Sequence, residues 1–166
     1  MSEGSLDELL LCLGRAGVRF VVIGGIAVGV HGYVRGTKDV DVCPDPDPEN
    51  LRQLAALLTE LEAEQLGVGD LEPDELPMDP RRVEDLAQGG NFRLRTRLGD
   101  LDVMQWVAGI EGDHAYAELA TDAMTVSFRD ITLTVCSLAK LRQMKEAAGR
   151  PQDKLDLEHL PAGTRD

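Results

Sequence analysis

The sequence predicts a mixed α/β (α+β) domain, a mixed central sheet flanked by helices. Three observations predict it. Short β-rich apolar runs alternate with segments of helical periodicity. Two pairs of runs are joined by tight turns, which makes part of the sheet antiparallel. The stretch 137–166 reads as helix alone, so it is expected as a C-terminal helical extension packed on a core at 1–136.

Each element has its own signal. Ser5-Leu6-Asp7-Glu8 reads as a capping box, with Ser5 at the cap. Leu6, Leu9, Leu10 and Leu13 then recur at helical spacing until Gly17. Residues 18–23 form a buried strand, broken by Gly24-Gly25, and a short helix spans 26–31. A polar loop at 34–38 leads into a strand at 39–43. Asp47-Pro48 starts a helix whose apolar stripe is Leu51, Leu54, Ala55, Leu58 and Leu61. Residues 67–79 lack periodicity and read as a loop, with a short helix at 80–88. In 91–98, Phe92, Leu94, Thr96 and Leu98 alternate with Asn91, Arg93, Arg95 and Arg97, the pattern of a half-buried strand. Gly99-Asp100 is assigned to a hairpin turn, with 101–107 as the returning strand. A helix at 112–120 and a second hairpin, 125–128 and 131–136 around Arg129-Asp130, follow. Ser137 caps a helix at 138–148, Gly149-Arg150-Pro151 breaks it, and a last helix runs to about residue 160, before a frayed tail at 161–166.

Composition narrows the function. Apolar residues make up 43%, enough for a core, yet no apolar run approaches the roughly 18 residues a membrane helix needs. The acidic start lacks the basic segment of a secretory signal, so a cytoplasmic location is the default expectation. Cys12, Cys43 and Cys136 are odd in number and far apart, and read as reduced thiols rather than a disulfide framework or a zinc site. The net charge of −13 is uneven: 45–85 holds 13 acids against Arg52, Arg81 and Arg82. Such a surface repels phosphate backbones, so stable sequence-independent nucleic-acid binding is not expected.

Three features carry chemistry. Asp39-Val40-Asp41 lies on a strand, so both carboxylates project from one face while the valines enter the core. Paired carboxylates repel unless a cation lies between them, and oxygen ligands suit Mg²⁺ or Mn²⁺. Gly24-Gly25 stands between an apolar strand and a helix, where backbone N–H groups can meet phosphate. Asp102, between Leu101 and Val103, is an acid inside a strand that needs a partner, which a shared metal would supply. Around these, Arg35 and Lys38 precede the acid pair, and Lys145 and Arg150 belong to a basic C-terminal segment; all four are candidate phosphate partners. His31 is assigned a structural role near a helix end, and Trp106 to the core.

Gly24-Gly25, Asp39-Val40-Asp41 and the later hydrophobic–Asp–hydrophobic strand together resemble the nucleotidyltransferase (polymerase-beta-like) superfamily. The stretches 22–27 and 35–41, with Lys145 and the Arg150-x-x-Asp153 pattern, look closest to small bacterial abortive-infection toxin nucleotidyltransferases. The acidic middle matches nothing in that pattern, and Gly24-Gly25 replaces the Gly-Ser of many members. The resemblance implies a minimal nucleotidyltransferase fold. It also implies Asp39 and Asp41 as metal ligands, Asp102 as metal ligand or general base, and Gly24, Gly25, Arg35, Lys38, Lys145 and Arg150 around an NTP. The implied reaction moves an NMP from an NTP to an acceptor hydroxyl. The acceptor is tRNA or a protein, as in toxin-type members, or a small molecule such as an antibiotic. The alternative is a non-catalytic nucleotide- or partner-binding relative, such as a toxin–antitoxin component; three converging acids argue against it. A cognate antitoxin, or a second copy completing the acceptor site in so short a chain, are the protein partners expected.

Overall fold

The structure, a computed structural model, describes residues 3–67, 70–112 and 115–162. Chain order is α1 (Glu3–Arg15), β1 (Phe20–Ile23), α2 (Gly24–Val30), β2 (Asp39–Pro44), α3 (Pro48–Glu60), β3 (Glu64–Gln65), a 3₁₀ turn (Pro73–Glu75), α4 (Val83–Leu86), β4 (Asn91–Thr96), β5 (Gly99–Met104), α5 (Ala115–Ala120), β6 (Met124–Phe128), β7 (Ile131–Val135), α6 (Leu138–Ala148) and α7 (Pro151–His159). The α/β class and the helical C-terminus are as the sequence predicts.

Among the described residues one sheet forms, in the order β3-β4-β5-β2-β1-β7-β6. β1 pairs antiparallel with β2 and parallel with β7; β2 runs parallel to β5, and β4–β5 and β6–β7 are antiparallel hairpins. The alternation along β4 and β5 sends Phe92, Leu94, Leu101 and Val103 to one face, where they join Val40, Val42 and the leucines of α1 and α3 in the core. The other face carries the acids. α6 packs against α2 and α7; it is fixed by the Ser137 cap, whose hydroxyl accepts from the Lys140 N–H, and ended by Gly149 at φ 63°. α3 is capped as expected: Asp47 accepts from the N–H groups of Glu49 and Asn50.

Several expectations shift. α1 starts at Glu3, so Ser5 lies inside its first turn rather than at the cap. α2 begins at Gly24 rather than at residue 26, which draws both glycines into its first turn. The edge strand β3, added by pairing Glu64 and Gln65 with Arg95 and Leu94, carries no alternation that a sequence could show. The helix expected at 80–88 narrows to α4. The helix expected at 112–120 is described over Ala115–Ala120, while residues 113 and 114 lie outside the described residues, as do 163–166 of the expected tail. The β4–β5 turn is Arg97-Leu98, not Gly99-Asp100, because Thr96 pairs with Gly99. The Thr96 hydroxyl closes that turn, donating to the Gly99 carbonyl at 2.6 Å and accepting from the Leu98 N–H at 3.0 Å. Asp100 is therefore a strand residue on the acidic face. The cysteines are free, as expected, and burial pushes the Cys43 and Cys136 thiols up to about 12.

Candidate functional site

The parallel pairing of β2 with β5 sets Asp41 beside Asp102 and Asp39 beside Asp100. The side-chain alternation derived for Asp39 and Asp41 thus recurs one strand over. Asp39, Asp41 and Asp102 each offer a carboxylate oxygen, and these oxygens all lie within 4.8 Å of one another. Such a cluster is electrostatically unfavourable without cations. Burial first, and then the Asp102 charge, raises the Asp39 carboxyl above the usual carboxylate range. Asp41 is raised further, by burial first and then by Asp39 and Asp102. An all-oxygen set of half-buried carboxylates held this close together fits a hard divalent cation such as Mg²⁺ or Mn²⁺.

The acids open into a cavity of about 870 Å³. Its walls include every residue the sequence singled out for the site: Gly24, Gly25, Arg35, Lys38, Lys145 and Arg150 besides the three acids. Their roles differ in detail. Lys145, only 6% exposed, reaches Asp153 and Asp156 with Nζ, each at 3.0 Å. The Arg35 guanidinium grips Asp156 at 2.7 and 2.8 Å, and Arg150 grips Asp153 at 2.7 and 3.2 Å. Burial alone would raise the Asp156 carboxyl, but hydrogen bonds from Arg35, Lys145 and Gln152 outweigh it and hold it at about 2. Three cations are thus held at the rim by two buried acids of α7. Lys38 is exposed in the cavity wall and makes no ion pair among the described residues.

Asp153 stands in the Arg150-x-x-Asp153 pattern of the sequence, but its pairing with Asp156 around Lys145 is hidden there. They sit one helical turn apart on α7, and only the packing of α7 on α6 aims both at Lys145. Arg93 was also missed: it is the Cα partner of Asp102 and reaches it at 3.7 Å, and the signal was its place opposite Phe92 in the alternation. Trp106 is a correction. It lies beyond the end of β5, 56% exposed and lining the cavity, because β5 stops at Met104 and the chain bends there, with Gln105 and Val107 buried on either side of it. His31 is structural as expected, its Nε2–H donating to the Cys136 carbonyl at 2.7 Å.

No protein-family model matches the chain, and no curated protein matches it by sequence. Solved structures do match. The lincosamide antibiotic adenylyltransferase LnuA, in a lincomycin-bound crystal structure, is similar with a TM-score of 0.62 at 13% identity, over 96% of this chain and 96% of that one. A Thermotoga maritima protein assigned as a nucleotidyltransferase matches with a TM-score of 0.60 at 14% identity, over 95% and 93%. An antigenic nucleotidyltransferase-like protein from Paracoccidioides brasiliensis matches with a TM-score of 0.50 at 16% identity, over 96% and 75%.

The chain has the nucleotidyltransferase fold. Within this nucleotidyltransferase fold the paired glycines have distinct reasons to be glycine. Gly24 has φ +71°, and a Cβ there would overlap the Asp41 carboxylate, meeting its Cγ at 2.7 Å. Gly25 lies beneath Thr37, whose Oγ1 would be 2.7 Å from an added Cβ. Gly24→Ala is therefore expected to push Asp41 out of the cluster. The midpoint of Mn²⁺ binding, read by calorimetry, rises about tenfold or more, and the Tm falls by several degrees, since both strain and a clash are added. Unchanged Mn²⁺ affinity would show that Gly24 does not set the position of Asp41.

Proposed function

We propose that this protein is a metal-dependent nucleotidyltransferase that moves an NMP from an NTP to an acceptor hydroxyl. The observation that carries the reading is the convergence of Asp39, Asp41 and Asp102 beside a cation-rimmed cavity. Asp39 and Asp41 would hold Mg²⁺ or Mn²⁺, with Asp102 sharing it. Bound there, the ion would neutralise the phosphates and ease deprotonation of the attacking hydroxyl. The protein's own contribution is positional. Asp102, on the β4 side of the pair, is placed to orient the acceptor hydroxyl and take its proton. Lys38, Arg35, Lys145 and Arg150 line the wall where a triphosphate would be neutralised, and Gly24 and Gly25 let the backbone approach it. Because three of these cations are anchored by Asp153 and Asp156, they are set before substrate arrives, which lowers the reorganisation that binding requires.

The non-catalytic alternative fits the site less well. A binding module gains nothing from three mutually repelling acids, two of them with raised carboxyls. The acceptor classes under this reading are tRNA, a protein or a small molecule. The test is transfer of label from each α-³²P NTP with Mg²⁺ or Mn²⁺ into a tRNA pool, a protein extract and an antibiotic panel. Label transfer that vanishes in Asp41→Asn supports the reading. Absence of transfer from all four NTPs into every acceptor class overturns it.

A further inference from the structure

We propose that Arg93 and Trp106 form the acceptor subsite of this cavity. It would take an acceptor that carries a negative group beside its hydroxyl and a planar or apolar face. The proposal rests on the transferase reading above, and four observations carry it.

The first is position. Gly24 and Gly25 adjoin β1, on one flank of the acid cluster, whereas Arg93 is paired with Asp102 from β4, on the other flank. If phosphate lies along the glycine wall, the acceptor approaches across Asp102, past Arg93. The second is availability. The Arg93 side chain is 68% exposed, and its contact with Asp102, at 3.7 Å, is too long for a good hydrogen bond. Arg35, Lys145 and Arg150 are by contrast bound tightly to the acids of α7. Arg93 can therefore turn to an incoming anion at little cost.

The third is the indole. Trp106 is the sole tryptophan of the chain and stands exposed on a clamped backbone. The Asn91 Oδ1 accepts from the N–H groups of Gln105 and Trp106, at 2.9 and 3.1 Å. The buried Gln105 donates to the Leu86 carbonyl at 3.0 Å, and Gln143 of α6 donates to the Gly109 carbonyl at 2.6 Å. A Cβ on Gly109 would meet the Gln143 carbonyl at 2.9 Å, so this segment lies directly against α6. A large apolar side chain presented by so fixed a segment, with Met104 and Val107 beside it in the cavity wall, is a platform rather than unplaced core.

The fourth is charge. None of the acids of 45–85 lines the cavity, so the acidic stretch does not recruit a cationic acceptor to it. The wall holds five cations, Lys38 and Arg93 among them, against four acids, three of which form the metal cluster. A polycationic acceptor would meet a positive wall once those acids hold a cation.

Because Trp106 is the only indole, intrinsic fluorescence reads this subsite alone. The experiment titrates the protein, with Mg²⁺, with the dinucleoside monophosphate CpA, which joins planar bases, one phosphodiester and a free hydroxyl. Kanamycin serves as the polycationic comparison and α,β-methylene-ATP as a donor analogue whose binding is followed by calorimetry. CpA is expected to quench Trp106 with and without the analogue, and kanamycin to leave it unmoved. Arg93→Gln should raise the CpA Kd about tenfold, the scale of one charge-assisted hydrogen bond. In transfer assays it should raise KM for the acceptor and not for the NTP. Absence of CpA quenching overturns the proposal. So does quenching by the analogue alone, which would place the donor base on Trp106, or kanamycin binding as tight as CpA and indifferent to Arg93→Gln. If CpA behaves as expected but the analogue does not bind, the subsite stands and the transferase reading falls.

Discussion

Asp41→Asn is expected to abolish nucleotidyl transfer and, in the metal-free protein, to raise stability. Charge stabilisation by a bound metal is worth several kcal/mol, and each factor of ten in rate is about 1.4 kcal/mol, so the loss should be about a thousandfold or more. The opposite sign for stability follows from linkage. The folded-state carboxyl of Asp41 lies above its unfolded value because it is buried among Asp39 and Asp102. Folded protein therefore holds a proton that unfolded protein has released. The metal-free wild type should lose stability as pH rises from about 4, the ordinary carboxylate value, up to the raised folded value, near about 8. Asn carries no charge, so the variant should show a flatter Tm profile over that range and a higher Tm at its alkaline end. Mn²⁺ should raise the wild-type Tm most at alkaline pH and leave the variant nearly unmoved, read by differential scanning fluorimetry. A variant less stable than metal-free wild type at alkaline pH, or one that keeps its Mn²⁺ shift, would show that Asp41 serves packing rather than cation binding.

Asp156→Ala is expected to be the most destabilising single substitution at the cavity. Asp156 is fully buried and accepts from Arg35, Lys145 and Gln152 together. Removing it leaves a buried ammonium with one partner instead of two and releases the guanidinium that ties the loop before β2 to α7. Breaking a buried pair in this way costs about 3–5 kcal/mol, which for a chain of this size lowers Tm by roughly 6–20 °C. Exposed Lys154→Ala on the same helix should move Tm by no more than a degree or two. The pH dependence runs opposite to that of Asp41. The folded Asp156 carboxyl is depressed, to about 2, so its stabilisation is complete above the unfolded value near about 3.9 and is lost as pH falls toward 2. The gap in Tm between wild type and Asp156→Ala should therefore close in acid. A constant gap between pH about 4 and about 2 would mean that lost packing, and not lost charge pairing, explains the cost.

Much of the fold could be read from residue order because it depends on local rules. Asp47 and Ser137 cap their helices through backbone N–H groups two and three residues away, so their role is visible in a short window. The same holds for the alternation that puts Asp39 and Asp41 on one face. The β4–β5 turn was misplaced by two residues because Gly99 looks like a turn former. What decides its position is the hydroxyl of Thr96, bonded to both sides of the turn, and the cross-strand partners on each side. Strand β3 was invisible because two polar residues become a strand only when an edge offers them partners.

The site divides along the same line. The acid pair, the paired glycines and the later Asp102 were present in the sequence as chemistry, since each residue type has few uses at such a position. Tertiary structure decided which of them meet. The parallel pairing of β2 and β5 brings Asp102 to Asp41, and the α6–α7 packing turns Lys145, Arg35 and Arg150 into one network on Asp153 and Asp156. It also decided that Trp106 faces the cavity and that the acids of 45–85 do not. The sequence by itself determined the α/β class, the helical C-terminus and the placing of Asp39 and Asp41 on one face of a strand, because these follow from periodicity along the chain. The third acid's place, the anchoring of the cations and the exposure of Trp106 were decided only by the fold, because strand register and helix packing join residues too far apart in the chain for any local rule to link.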